Sequence, residues 1–313
     1  MTKSSPFITP ENLDTFETST SDLVNNKSNA TPSRIIKDIL AGTSGGIAQV
    51  LVGQPFDTTK VRLQTSKSGT TLLDVVRSLI KNEGPLAFYK GTLTPLVGVG
   101  ICVSVQFGVN EAMKRFFHHR NHGLPITLPQ YYLCGMTGGL VNSFLSSPIE
   151  HVRIRLQTQK SNGLDREFKG PLDCISKLIK QRSLMRGLPV MMLRAGHGIG
   201  CYFLVYEALI QHEMKKGIAR AELPAWKLCT FGGIAGTVLW ISIYPLDVIK
   251  SVIQTDRLHN PVFKNSMIKV AKNLYAKEGL SAFFKGFVPT LLRASPANAA
   301  TFVTFEFALR MMG

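Results

Sequence analysis

One stretch of this chain is written three times and limits its possible folds more than any other feature. It reads Gln54-Pro55-Phe56-Asp57-Thr58-Thr59-Lys60 and runs on to Gln64, then recurs from Pro148 to Gln157 and from Pro245 to Gln254. In each copy an acid follows the proline by two residues, a base follows the acid by three, and a glutamine ends the copy. The prolines are separated by 93 and 97 residues, so the chain is one unit of about a hundred residues used three times. Such a unit holds too little apolar surface to close around itself and has to stack on its neighbours.

The motif has physical content of its own. Proline lacks an N–H and clashes with the carbonyl four residues back, so each copy predicts a bent helix. An acid and a base three apart share one face of that helix. Each proline is preceded by an apolar, glycine-punctuated run: Gly42 and Gly46, Gly135 and Gly139, Gly232 and Gly236. Small residues four apart let helices approach closely in lipid, where hydrophobic burial cannot drive association. A charged pair at the end of such a helix reads as a membrane feature.

Each copy also carries a second half. Glu83-Gly84 and Phe88-Tyr89-Lys90-Gly91 follow the first, and Glu278-Gly279 and Phe283-Phe284-Lys285-Gly286 follow the third. The middle copy is worn, with Lys180-Gln181-Arg182-Ser183 in place of the acid-glycine pair and Arg186-Gly187 surviving. In these residues the sequence resembles the mitochondrial carrier family across about residues 36 to 312. It looks most like a fungal-type member of the branch that holds carnitine/acylcarnitine and amino acid carriers. The resemblance implies an all-α membrane protein: three tandem repeats, six transmembrane helices in a pseudo-three-fold barrel, and three short matrix-side helices.

Composition agrees with that reading. The net charge is +16, yet the bases are not gathered into a stripe and no nucleic-acid-binding motif is present. The excess is read as contact with anionic lipid, cardiolipin included, and with anionic or zwitterionic solutes rather than nucleic acid. The five cysteines form no CxxC or Cys/His spacing, so neither a disulfide framework, a metal site nor a cofactor is expected. Mean hydropathy is only +0.10, as when helices show one face to lipid and another to water.

Residues 1–34 are rich in Ser, Thr and Asn, with neither the Arg-rich amphipathic pattern of a transit peptide nor an apolar signal run. They are expected to be a disordered polar tail. The repeats are expected at 35–125, 126–218 and 219–313, within one monomeric domain. Long helices are predicted from about Ile35 to Gln64, Gly91 to Phe117, Tyr131 to Gln157, Gly187 to Met214, Pro224 to Gln254, and Gly286 onward. Short amphipathic helices fall between the members of each pair. An even number of crossings puts both termini on one side, expected to be the intermembrane space.

Charges at membrane depth need partners. By resemblance Asp57 would pair with Arg153, Glu150 with Lys250, and Asp247 with Lys60, braced by Gln64, Gln157 and Gln254. Together they would form a gate on the matrix side; a purely structural reading, in which the pairs hold the bundle together, is compatible with it. The family's outer motif falls at Glu111, Glu207 and Glu306, with one base in register, Lys114, whose partner would be Glu306. A weak outer gate, and a resting protein open outward, follow from that imbalance.

Seven residues beyond Gly91, Gly187 and Gly286 stand Gly98, Arg194 and Arg293, equivalent by repeat and matching the family's substrate contact points. Arginine presents a fork that fits a carboxylate and stays charged in a low dielectric. Gly98 is expected to leave room in the cavity, while Ala195, where the branch usually has an acid, puts a cationic substrate in question. Gln106, His197 and Asn298 are further candidates for the cavity wall. Nothing resembles a nucleophile elbow, a phosphate loop or a paired-carboxylate site, so an enzyme is not expected. The reading is a mitochondrial inner-membrane transporter working by alternating access, for an amino acid or related zwitterion, with a dicarboxylate, oxoacid or acylcarnitine as the alternative cargo.

Overall fold

The computed structural model describes residues 32–66, 68–122, 124–159, 167–218 and 220–312. The described side chains exclude those of 32–39, 99, 221, 225, 229, 295, 298, 302, 305, 306 and 309, so Asn298 and Glu306 lie outside them. The tail expected over 1–34 lies outside the described residues as far as 31. Nine α-helices and no strand occur among the described residues. Six are long: α1 (Pro32–Gln64), α3 (Leu93–Arg120), α4 (Leu128–Thr158), α6 (Leu188–Met214), α7 (Ala225–Thr255) and α9 (Phe287–Met311). The shortest has 25 residues, and about 20 suffice to cross a bilayer.

Two of them, over Leu188–Met214 and Trp226–Thr255, are apolar enough to count as spans on composition alone, and a third if the bent pair Pro85–Gly98 and Gly100–Arg120 is one span. α1, α4 and α9 fall short of that composition. Pro55, Pro148 and Pro245 each lie inside a helix that continues past them.

The helices form a circuit. α1 packs along α9, α3 along α4, α4 along α6 and α6 along α7, while α1, α4 and α7 also touch one another. The tightest crossing is α4 with α6. A Cβ on Gly135 would lie 2.7 Å from the carbonyl of Ile199, one on Gly200 2.8 Å from that of Tyr132, and one on Gly139 would run into that of Ala195. The glycine spacing in the first repeat does not act this way. A Cβ on Gly42 or Gly46 would meet nothing within 4 Å, and at that level it is the Ala41 and Gly45 face of α1 that is buried.

The short helices α2 (Leu72–Glu83), α5 (Pro171–Lys180) and α8 (Met267–Glu278) lie against the lower ends of α1, α4 and α7. Thr71 and Asp74 cap α2 reciprocally. α5 opens on Pro171 and Ser266 caps α8. Each buries an apolar face on its own repeat: Val75 and Leu79 against Leu63, Cys174 and Leu178 against Val152 and Leu156, Val270 against Ile249 and Ile253. The acid-glycine half of the repeat closes this unit. Glu83 binds both Arg62 and Lys90, and Glu278 binds Lys285. In the worn middle copy Arg186 instead donates to the carbonyls of Asp256 and Arg257, beyond the end of α7. Gly91, Gly187 and Gly286 then turn the chain into the even helices at φ of +77°, +85° and +82°, which side chains resist.

Candidate functional site

Where α1, α4 and α7 converge, their charged residues meet in a ring. Asp57 lies 2.7 Å from Arg153, Glu150 2.8 Å from Lys250, and Asp247 2.8 Å from Lys60. Each bond joins two different repeats. Lys250 and Asp247 are almost fully enclosed, with side-chain exposures of 3% and 4%. Removing one partner of such a bond leaves a desolvated charge without compensation.

The glutamines do not share one role. Gln64 donates to Asp247 at 3.0 Å. Gln157 donates instead to the Thr58 hydroxyl at 3.4 Å, and the amide of Gln254, though buried, makes no hydrogen bond. The expected symmetry fails even though Gln157 and Gln254 pack alike, against Gly91 and Gly187, whose Cβ atoms would lie 3.5 and 3.0 Å from their side chains. Gln54 does touch a pair, accepting from Arg153 at 2.8 Å and donating to the carbonyl of Lys90 at the same distance. Its place directly before Pro55 was the only sequence clue. Lys60 is also held over the rings of Trp240, 4.8 Å from the centroid, and Tyr244, 5.4 Å away. These aromatics precede Pro245 on α7 and carried no sequence signal beyond that.

Both arginines of the expected contact points reach the ring. Arg194 lies 3.4 Å from Glu150 and 3.4 Å from Asp247, bridging two of the bonds. Arg293 lies 3.3 Å from Asp57. Five bases (Lys60, Arg153, Lys250, Arg194 and Arg293) thus face three acids, leaving two positive charges in excess. Gly98 leaves no room: a Cβ there would meet the side chain of Ile149, Cδ1 at 2.6 Å, because α3 presses against α4 beside Pro148. Ala195 places its carbonyl over Gly139 at the α4/α6 crossing. His197 shares a hydrogen bond of 3.1 Å with the Tyr132 hydroxyl, and Gln106 accepts one of 3.1 Å from Asn142, so both are engaged in helix contacts.

At the opposite end, Lys114 binds Glu111 at 3.0 Å, one turn along its own helix, and lies over the Phe203 ring of α6. The expected bond between Lys114 and Glu306 falls on a side chain outside those described. Glu207 is gripped by Arg220, a base outside the helical motif that the periodic reading did not reach.

A separate cavity of about 390 Å³ lies between the start of α3 and the start of α5. It is lined by Tyr89, Lys90, Gly91, Lys169, Gly170 and Pro171 among others.

The description of the mitochondrial carrier protein family matches residues 31–121, 125–217 and 221–313, the three repeats in turn. This chain belongs to that family. It is a carrier of the mitochondrial inner membrane. The chain is 67% identical to the mitochondrial glycine transporter of Saccharomyces cerevisiae over 90% of its own length and 93% of the relative's. It is 51% identical to the glutamate/glycine mitochondrial carrier of Schizosaccharomyces pombe, over 88% of this chain and 94% of the other. It is 37% identical to the human mitochondrial basic amino acids transporter, over 87% and 89%.

Proposed function

We propose that this carrier moves a small amino acid, or a closely related zwitterion, by alternating access and in exchange for another solute. The observation that carries the reading is that Arg194 and Arg293, the bases at the family's contact points, both reach the acids of the ring. A substrate carboxylate takes a guanidinium fork that is spent, without substrate, on Glu150, Asp247 or Asp57. The acid so released then lies where the substrate's ammonium needs a partner. An acid at position 195 is therefore not required for a zwitterion, since the ring itself supplies one. Binding weakens the bonds that close the matrix end and stabilises the form in which that end opens. The names of the yeast relatives, which specify glycine and glutamate, support the same substrate class.

In this reading Asp57, Lys60, Glu150, Arg153, Asp247 and Lys250 are the matrix gate, with Gln64 and Gln54 as its braces. Both termini face the intermembrane space, the 35–125, 126–218 and 219–313 repeats form one domain, and the working unit is a monomer. The cavity beside α5 suits an anionic lipid headgroup, with Lys90 and Lys169 for charge and the helix N-terminus for backbone donors.

The test is uptake by purified protein in liposomes preloaded in turn with amino acids, carnitine esters, oxoacids and nucleotides. Saturable amino acid exchange is expected, reduced about a hundredfold or more by Arg293→Ala. Exchange confined to dicarboxylates or oxoacids would overturn the substrate assignment, and an active Arg293→Ala protein would overturn the site.

A further inference from the structure

The connector between α6 and α7 contains a short 3₁₀ turn, Arg220–Glu222. Arg220 holds Glu207 of α6 with two parallel bonds of 3.1 Å. The Glu207 side chain is 7% exposed and lies beside the apolar cluster of Tyr202, Tyr206, Ile210 and Leu223. A carboxylate in such a place needs a cation. The positions at which the outer motif could place one on an even helix are Lys114, Ile210 and Leu309, a single base for three acids. Leu223 is itself buried in the cluster, which anchors the connector that presents Arg220.

We propose that Arg220 is a positioning residue of the transport cycle, latching the outer end of α6 to its connector while the matrix gate is closed. The proposal rests on the alternating-access reading. Closing the outer end has to bring α3, α6 and α9 together there, and Glu207 cannot face both its connector and the neighbouring even helices. Arg220 is suited to release, because 47% of its side chain is already in water and little has to be resolvated when the bond breaks. Glu207 then has a base at hand: Lys114 already sits 5.6 Å over Phe203, one turn back along the same helix.

The experiment measures the distance between spin labels at His119 and His212, exposed positions near the outer ends of α3 and α6. It uses full-length, cysteine-replaced protein in liposomes. Without substitution, two distances are expected, with their balance changed by substrate. Arg220→Gln should move the balance toward the shorter distance by roughly fivefold, Arg220→Lys by less, and Glu207→Lys combined with Arg220→Glu should restore it. An unchanged balance in Arg220→Gln overturns the latch, as does a charge swap that behaves like Arg220→Gln. Should the swap fail to fold, Arg220→Lys decides, since an intact charge with lost bidentate geometry has to give an intermediate balance. A single distance at every substrate concentration overturns alternating access and the latch with it.

Discussion

At the end where the charged ring lies, every acid of the repeated motif is answered by a base on another repeat, whereas at the opposite end Glu111 binds Lys114 on its own helix and Glu207 binds Arg220 of the connector to α7. At the first end the bonds close a ring through all three repeats; at the other they run singly, as from Glu213 of α6 to Lys227 of α7. The same chemistry thus makes a closed ring at one end and separate pairs among the described residues at the other. Burial sharpens the difference: Asp247 and Lys250 are nearly dry, while Glu111 is 48% exposed and screened by water.

The largest effect is expected from breaking the inner ring. Lys250→Ala leaves Glu150 facing Arg194 alone and should destabilise the matrix-closed form by about 3 kcal/mol, seen as a lower melting temperature and a leak of substrate without exchange. Glu150→Lys with Lys250→Glu should recover a good part of both. A single variant as stable as the parent would show that the ring does not hold this end.

Cys174 on α5 tests how tightly the inner end is packed. Burial pushes its thiol from 9.0 up to about 12, which lowers the reactive thiolate at pH 8 by roughly a thousandfold. Its folded pKa is raised, so the stabilisation is complete below about pH 9 and is lost as the pH climbs toward 12. Maleimide should leave Cys174 untouched at pH 8 until denaturant is added, and rapid labelling of folded protein would contradict the packing described.

A third comparison pits two glycines at equivalent positions in the repeat family. Gly139→Ala drives a methyl group into the Ala195 carbonyl and should cost about 2 kcal/mol, whereas Gly46→Ala meets nothing within 4 Å and should be neutral or slightly stabilising. Thermal unfolding of the two variants side by side distinguishes a crossing from an open face; equal melting temperatures would count against it. The smallest effect is expected at the outer end, where Lys114→Ala loses an exposed pair one turn apart and should change stability by about 0.5 kcal/mol or less. A loss comparable with Lys250→Ala would mean that the two ends are not built differently after all.

Much of the architecture was legible because it repeats. Periodic apolar faces, prolines at fixed intervals and the acid-base spacing each specify local geometry, and three copies in phase leave few ways to arrange them. What was misread lies where the repeats depart from one another. Gly98 looks like empty space in the sequence and is filled by Ile149 in the structure, since an absent side chain does not say whether a neighbour has moved in. Gln157 and Gln254 share Gln64's register but not its contacts, since equal spacing along the chain does not set which groups the neighbouring helices present.

The sequence by itself determined the three-part helical plan, the family, and the placing of acid and base on one face near each proline, because these depend on short-range spacing. Only the tertiary structure decided that Arg194 and Arg293 lean on the acids of the ring, that Trp240 and Tyr244 lie beside Lys60, and that Arg220 meets Glu207. Those contacts join residues from different helices or from a connector that follows no period. Their existence depends on how the helices are rotated and how far side chains extend, which is settled only when all three repeats pack together.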